Sequence, residues 1–133
     1  MISLNLARQL EDAGVRWIPR DGDRFMVPER DLDDDIFVVS HMVVEADDSP
    51  TGRILKFNGT TEWALDSVDQ DDAVWLPREH QLRDLLGNTF RALNRPPGGW
   101  QVDIEIDGVP RSFAASTAEA AYARALLYLV TGE

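Results

Sequence analysis

The stretch that decides the fold reads WQVDIEIDGVPRSFAASTAEAAYARALLYLV and covers residues 100–130. Its first seven residues alternate apolar and polar side chains, which is typical of a β-strand with one face in solvent. Asp107-Gly108 is a strong two-residue hairpin signal, and Val109–Ala115 returns as a strand that Pro110 confines to a sheet edge or a bulge. Ser116-Thr117-Ala118-Glu119 matches a capping box and predicts that the last helix begins there.

A middle helix is predicted before this stretch. Pro77 suits its first turn, and Gly87 either bends the helix or divides it in two, at a cost of about 1 kcal/mol relative to Ala. An N-terminal helix is predicted as well, because Ser3 can cap it and Gly14 suits a left-handed stop. The apolar stripe assigned to the middle helix consists of Leu82, Leu85, Leu86, Phe90 and Leu93.

The strongest β signal lies between these two helices. Residues Ile36–Val44 are rich in β-branched side chains, and their apolar pattern is continuous, so we expect a central strand covered on both faces. Arg53–Phe57 is predicted to pair with it in a hairpin. The remaining short elements are strands at Arg24–Val27 and Ala73–Leu76 and a helix over Glu62–Leu65, capped by Thr60 or Thr61.

The length of 133 residues is typical of one domain, since domains commonly run to roughly 100–200 residues. Hydrophobic residues make up 44% of the chain, which argues against disorder and provides for a real core. We therefore expect a single α+β domain over residues 1–133, with a ββα sub-unit over 98–133. Its sheet is mostly antiparallel, and its helices are N-terminal, middle and C-terminal.

The charge of the chain is confined to one block. The whole chain has 24 Asp and Glu against 13 Lys and Arg, a net charge of −11. Residues 21–72 hold 15 of the acids and 4 of the bases, so the remainder is neutral. This balance is wrong for neutralising phosphates, and it disfavours nucleic acid and anionic membrane surfaces as partners.

Other classes are excluded by composition. The chain has no Cys, which excludes a disulfide scaffold, thiolate zinc sites, iron–sulfur clusters and cysteine catalysis. The segment Met1–Leu6 lacks the basic start and long apolar stretch of a signal peptide, and no apolar run reaches the roughly 20 residues that a bilayer needs. We expect a soluble, cytoplasmic protein.

Two acidic clusters invite comparison with calcium loops. Asp31, Asp33 and Asp35 match positions 1, 3 and 5, but the required Gly is Ile36 and the bidentate Glu is Met42. The cluster that starts at Asp69 fails too, with Ala73 at position 5, Val74 at position 6 and His80 at position 12. Solvated loops are the expected role, because charge beside a hydrophobic strand also deters aggregation. An irregular hard-cation site built from both clusters stays open.

No catalytic constellation is recognisable. Ser40 and His41 are adjacent in a predicted strand, so their side chains point to opposite faces, and His80 is expected to be exposed in the first turn of its helix. No Gly-x-Ser-x-Gly elbow occurs. Gly59-Thr60-Thr61 lacks the lysine of a phosphate-binding loop and is expected to be a helix cap. The sequence assigns no catalytic residue, no cofactor and no metal ligand.

The leading hypothesis is a non-enzymatic protein-interaction module with a basic protein as its partner. The Trp side chains are expected to be core residues, and Trp63 is the best candidate for recognition because it lies between the two clusters in sequence. Alternatives are a small-ligand or divalent-cation binding protein or enzyme that uses the acidic loops near Trp63, and an acidic mimic of nucleic acid. Homo-oligomerisation stays open. The candidate interaction surface consists of Asp31, Asp33, Asp34, Asp35, Trp63, Asp66, Asp69, Asp71 and Asp72.

Four stretches of the sequence carry a resemblance to known proteins: Leu6–Leu10 with Ala13, Gly14 and Trp17, then Gly22–Phe25, Phe57–Asp66, and Trp75–Arg78 with Leu82, Leu85 and Leu86. On these stretches the chain resembles a family of small uncharacterised acidic actinobacterial proteins, some of which bear the label pilus assembly protein. Variants of the first and last stretches appear in phage-type open reading frames. The resemblance spans most of the chain and implies source and fold, but it supplies no catalytic residue.

Overall fold

A computed structural model of the chain describes residues 1–28, 36–39, 45–49, 52–56, 67–69 and 72–132, with the backbone alone for the three short ranges between 45 and 69. Among these residues the elements mix helices with antiparallel strands, which confirms the α+β class. None of the helices in the described ranges is long and apolar enough to span a membrane. In chain order the elements are α1 (Leu4–Asp12), β1 (Arg24–Met26), β2 (Phe37–Val38), β3 (Glu45–Ser49), β4 (Gly52–Lys56), β5 (Ser67–Asp69), β6 (Val74–Leu76), α2 (Glu79–Leu86), β7 (Phe90–Asn94), β8 (Trp100–Ile106), β9 (Val109–Ala115) and α3 (Ala118–Thr131).

The chain divides into two compact units. The terminal unit combines Met1–Arg16 with Pro77–Glu133, and the acidic unit is Trp17–Leu76. The acidic unit holds 15 of the 24 acids and 5 of the 13 bases, so its formal net charge is −10. The terminal unit holds 9 acids and 8 bases, a net charge of −1. The charge block found in the sequence therefore coincides with a structural unit.

The terminal unit is built on a three-stranded antiparallel sheet of order β7-β8-β9. Val102 and Ile104 point from the central strand into the core, and α3 packs against β8 and β9. The largest fully buried side chain of α3 is that of Tyr122, and Ala121 beside it allows close packing. The ββα arrangement predicted for residues 98–133 is present, with β7 added as a third strand.

The hairpin and the helix ends show why these elements stop where they do. Asp107 and Gly108 both have positive φ, at 51° and 80°, which is the geometry of the tight turn that their types favour. Gly14 has a φ of 100° and ends α1, as predicted, because this conformation suits glycine. Ser3 caps α1 by accepting the N–H of Leu6 at 3.2 Å.

The cap of α3 differs from the prediction by one residue. Thr117, not Ser116, is the N-cap, and its hydroxyl accepts the N–H of Ala120 at 3.1 Å. The expected box between Ser116 and Glu119 is therefore not formed, since Ala120 occupies the third helical position. A run of two hydroxyl residues leaves the starting residue ambiguous in sequence, and backbone geometry decides it.

The prediction for the second half of the middle helix is wrong. The helix ends at Leu86, a single 3₁₀ turn follows over Gly87–Thr89, and Phe90 and Leu93 lie in β7. Residues three apart in a regular strand face opposite sides. Here the register shifts within β7, so Phe90 pairs with Ile104 and Leu93 with Val102, two residues of the same face. A β-bulge thus reproduces the spacing of a helix.

The described residues of the acidic unit form two three-stranded antiparallel sheets, of order β2-β1-β6 and β3-β4-β5. The predicted strands at Arg24–Val27 and Ala73–Leu76 are confirmed as β1 and β6. The prediction of a central strand over Ile36–Val44 is wrong in the described part of that range. Only Phe37–Val38 forms a strand, and it lies at an edge, because β1 occupies the centre of its sheet.

The predicted hairpin is present with a different partner. β4 pairs with β3, and the register Ser49↔Gly52 leaves two residues for the turn. Asp47 and Asp48 belong to strand β3, although both are turn-forming residue types. A two-residue connection is sufficient for a hairpin. The short helix expected over Glu62–Leu65 lies outside the described residues.

Candidate functional site

The entry into the acidic unit is organised around one buried carboxylate. Asp23 is 3% exposed, and its Oδ2 accepts the indole N–H of Trp17 at 2.9 Å and the backbone N–H of Arg20 at 3.0 Å. Burial of a carboxylate is tolerated when donors satisfy it in this way. The indole of Trp17 lies 5.4 Å from the ring of Phe25, which lies 5.4 Å from that of Phe37. This aromatic row supports the first sheet from within.

The edge strand β2 presents two large apolar side chains to solvent. Phe37 points into the core, so Ile36 and Val38 on either side of it share the opposite face. Ile36 is 41% exposed and Val38 is 52% exposed. Ile18, elsewhere in the same unit, is 65% exposed. Exposed aliphatic side chains within a strongly charged unit are candidates for contact with another molecule.

The backbone of β2 is hydrogen-bonded on one side. The N–H of Val39 donates to Asp23 at 2.8 Å and its C=O accepts from Gly22 at 2.7 Å, while Phe37 pairs with Phe25. Because hydrogen-bonding directions alternate along a strand, the N–H and C=O of Ile36 and Val38 point away from β1. In the described part of the chain, these four groups have no hydrogen-bond partner.

The second sheet places acidic positions from two strands on one face. The ladder sets Glu45 opposite Lys56, and Asp47 and Asp69 on either side of Ile54. Positions 45, 47 and 69 therefore share a face, since each pairing joins residues on the same side of a sheet. The other face carries the row Ala46–Leu55–Val68. One side of this sheet thus carries three acidic positions, and the other carries this apolar row beside the pair Asp48↔Arg53.

The residues of the predicted interaction surface are only partly described. Asp69 is the last residue of β5, and Asp72 is exposed. Whether the two clusters converge is not tested by these two positions. The other predicted members, which lie outside the described residues, are Asp31, Asp33, Asp34, Asp35, Trp63, Asp66 and Asp71.

Sequence reasoning missed β2 as an exposed edge. All four residues from Ile36 to Val39 are apolar, so no alternation separates the buried pair from the exposed pair. The signal that could have found it is the run of aspartates that ends at Asp35, because charge adjoining a strand is typical of an edge. The buried Asp23 had no distinguishing signal, since its role depends on Trp17.

In the described ranges, no group of three His, Asp or Glu residues has the geometry to hold a metal ion. His80 is exposed in the first turn of α2, as predicted. Ser40 and His41 lie outside the described residues.

The terminal unit holds a polar cluster that the sequence did not indicate. On the solvent face of its sheet, Asp103 accepts hydrogen bonds from Gln101 at 2.9 Å, Ser112 at 2.7 Å and Asn94 at 2.6 Å. These donors lower the pKa of the Asp103 carboxyl, with Gln101 contributing most. All of the donors belong to the sheet itself, so the cluster fixes the register of three strands.

A shallow cavity of about 540 Å³ lies at the turn between β7 and β8. It is lined by Arg95, Trp100 and Ser116 with the intervening Pro and Gly residues. The guanidinium of Arg95 stacks over the Trp100 ring at 4.8 Å, so this cation is partly engaged by the indole. The lining residues include no Asp or Glu.

The long edge strand β9 is protected against pairing. Its outward-facing backbone groups belong to Pro110, Ser112 and Ala114, because Ile106↔Val109 closes the hairpin. Pro110 has no N–H, and the C=O of Ala114 accepts a hydrogen bond from Arg124. Two of the six possible outward groups are thus removed, which weakens oligomerisation across this edge.

Comparison of the chain with protein-family models, curated proteins and solved structures gives no match.

Proposed function

We propose that this chain is a non-enzymatic interaction module whose acidic unit binds a basic protein partner. The observation that carries the proposal is the division of charge between the two structural units, −10 in Trp17–Leu76 and −1 in the remainder. A charge imbalance spread over a whole surface serves solubility. When the imbalance is concentrated in one unit of 60 residues, it creates a negative electrostatic potential near that unit.

The physical consequence is selective encounter. An acidic surface attracts Lys and Arg on a partner, raises the association rate and repels acidic proteins and phosphate backbones. Because exposed charges are screened over about 8 Å at physiological ionic strength, such binding weakens as salt is added. The neutral terminal unit contributes little to this field.

Apolar contact is the second requirement for a stable complex, since exposed ion pairs alone contribute about 0–1 kcal/mol each. Ile18, Ile36 and Val38 provide exposed aliphatic surface within the acidic unit. Their combination with the net charge of −10 in the same unit favours a partner that is basic and also has apolar side chains. The cytoplasmic location expected from composition is part of this proposal.

The test is quantitative capture of partners from a lysate of the source organism. The baits are the unaltered chain and a variant with Asp33, Asp34, Asp69 and Asp71 changed to Asn. A matched control removes the same number of negative charges, four, from the terminal unit. Its substitutions are Glu11→Gln, Asp12→Asn, Asp84→Asn and Asp107→Asn. We expect a basic protein to be lost with the first variant and retained with the control.

The second part of the test varies the salt concentration. Capture at about 0.3 M salt should be weaker than at 0.05 M, because the screening length falls as ionic strength rises. The proposal is wrong if the same partner is retained equally by all three baits at both salt concentrations. It is equally wrong if the partners lost are acidic.

A further inference from the structure

We propose that the edge strand β2 accepts an additional strand from an extended basic segment of the partner. This inference rests on the proposed function and names the part of the acidic unit where the partner's backbone would lie. The observation that carries it is the outward direction of the N–H and C=O groups of Ile36 and Val38, beside two exposed aliphatic side chains.

Backbone chemistry makes this edge competent for pairing. A strand laid beside β2 would form hydrogen bonds with two donors and two acceptors that have no partner in the described chain. Each such bond contributes a modest net stabilisation, because it replaces hydrogen bonds to water. Four bonds with apolar contact to Ile36 and Val38 are enough for a weak, specific complex.

The contrast with β9 supports the assignment. Native proteins protect exposed edges, and β9 does so with Pro110 and the hydrogen bond from Arg124 to Ala114. Ile36 and Val38 have neither device, since both residues keep their N–H and no described side chain bonds to their C=O groups. Within the described residues, two of the six outward groups of β9 are removed and none of the four outward groups at Ile36 and Val38 is.

Charge complementarity selects the occupant. Asp33, Asp34 and Asp35 directly precede Ile36 in sequence, and the whole unit has a net charge of −10. A second copy of this chain would bring two such units together, and like charges would oppose pairing. The occupant must contact the apolar side chains of Ile36 and Val38 and must also carry positive charge. A segment that alternates Lys or Arg with aliphatic residues does both, because one face of its strand is apolar and the other is basic.

The test uses an eight-residue peptide of alternating Lys and Val with blocked termini. Its matched control is the fully N-methylated peptide, which has the same charge and no backbone donors. Binding is followed by amide hydrogen exchange in the full chain. Strand addition predicts slower exchange at Ile36 and Val38, with little change at Phe37 and Val39, whose amides already face β1.

Two variants sharpen the result. Val38→Pro removes a backbone donor that forms no hydrogen bond with the described residues and should weaken peptide binding by about tenfold, the equivalent of one lost hydrogen bond. Val38→Thr keeps the backbone donor and a β-branched side chain, so it should change binding far less. Circular dichroism and thermal unfolding verify that both variants fold.

The outcomes separate this inference from the proposed function. Equal binding of the N-methylated peptide, or protection without alternation between Ile36 and Val39, overturns strand addition but leaves electrostatic recognition of a basic partner intact. Absence of binding by both basic peptides contradicts both proposals. Concentration-dependent dimerisation that Val38→Pro abolishes would assign the edge to a second copy and overturn the basic occupant.

Discussion

The guanidinium of Arg83 donates two hydrogen bonds to the hydroxyl of Tyr122, from Nε at 3.0 Å and from Nη2 at 2.7 Å. Tyr122 is among the most deeply buried side chains of the chain, and Arg83 also lies over the ring of Phe90 at 4.8 Å. One exposed arginine thereby joins α2, α3 and β7. It satisfies the only polar atom of a buried tyrosine side chain, which is what such a hydroxyl requires.

Removing this interaction should cost stability. We expect Tyr122→Phe to lower the free energy of unfolding by about 1 kcal/mol and Arg83→Met to lower it by a similar amount, measured by urea denaturation. The double variant should cost less than the sum, because both changes remove the same contact. Arg91→Met is the control, since the exposed pair of Arg91 with Glu105 should contribute less than about 0.5 kcal/mol. Additive costs in the double variant would contradict this account.

Substitution of two leucines on α2 by alanine should have very different effects on stability. Leu82 is fully buried and Leu85 is 40% exposed. We expect Leu82→Ala to lower the free energy of unfolding by about 2–5 kcal/mol, because it removes buried methyl groups and leaves a cavity. Leu85→Ala should cost less than about 1 kcal/mol. Equal losses in the two variants would show that the described face of α2 is not the one that packs.

The start of α3 can be tested by adjacent substitutions. Thr117→Ala should destabilise the chain by about 1 kcal/mol, because the hydroxyl that accepts the N–H of Ala120 is lost. Ser116→Ala should have little effect, since Ser116 is exposed and precedes the cap. Thermal unfolding measures the change in stability of both variants. A larger effect at Ser116 would restore the cap predicted from sequence.

Asp103 should give the terminal unit an acid-sensitive contribution to stability. Its pKa is lowered by the donors Gln101 and Ser112, so the native state favours the ionised form more than the unfolded state does. The contribution is present above the unfolded pKa of about 3.9 and is lost as pH falls through the lower native value. Ser112→Ala should raise the pKa of Asp103 towards its ordinary range, as measured by NMR titration of the carboxyl carbon.

The stability of Asp103→Asn completes this test. At pH 7 the variant should be less stable than the parent chain by about 1 kcal/mol, and the difference should shrink below about pH 3.9. A difference that is constant from pH 7 to pH 2.5 would mean that ionisation of Asp103 contributes nothing.

The terminal unit was largely predictable from sequence because its signals are local. Alternation in Trp100–Ile106 and the Asp107-Gly108 turn specify the hairpin without reference to distant residues. The strand at Phe90 was not predictable in this way. Its apolar spacing matches a helix, and only pairing with Ile104 and Val102, through a bulge, makes it a strand.

The candidate site was less predictable for two physical reasons. Edge and central strands of a sheet differ in whether they pair on one side or on both. The uniformly apolar run from Ile36 to Val39 does not indicate which of the two applies. Charge, in contrast, is visible in sequence, and the charge block of residues 21–72 lies within the acidic unit, Trp17–Leu76. Whether Asp31 and Asp71 belong to one surface depends on long-range placement and stays a prediction.

The most direct test of the central proposal is amide hydrogen exchange of the whole chain with and without the captured partner. Recognition by the acidic unit predicts slower exchange among residues 17–76 and unchanged exchange along β8 and β9, with protection that diminishes as salt is raised. Protection confined to residues 77–133, or insensitive to salt, would contradict the proposal that the acidic unit binds a basic partner.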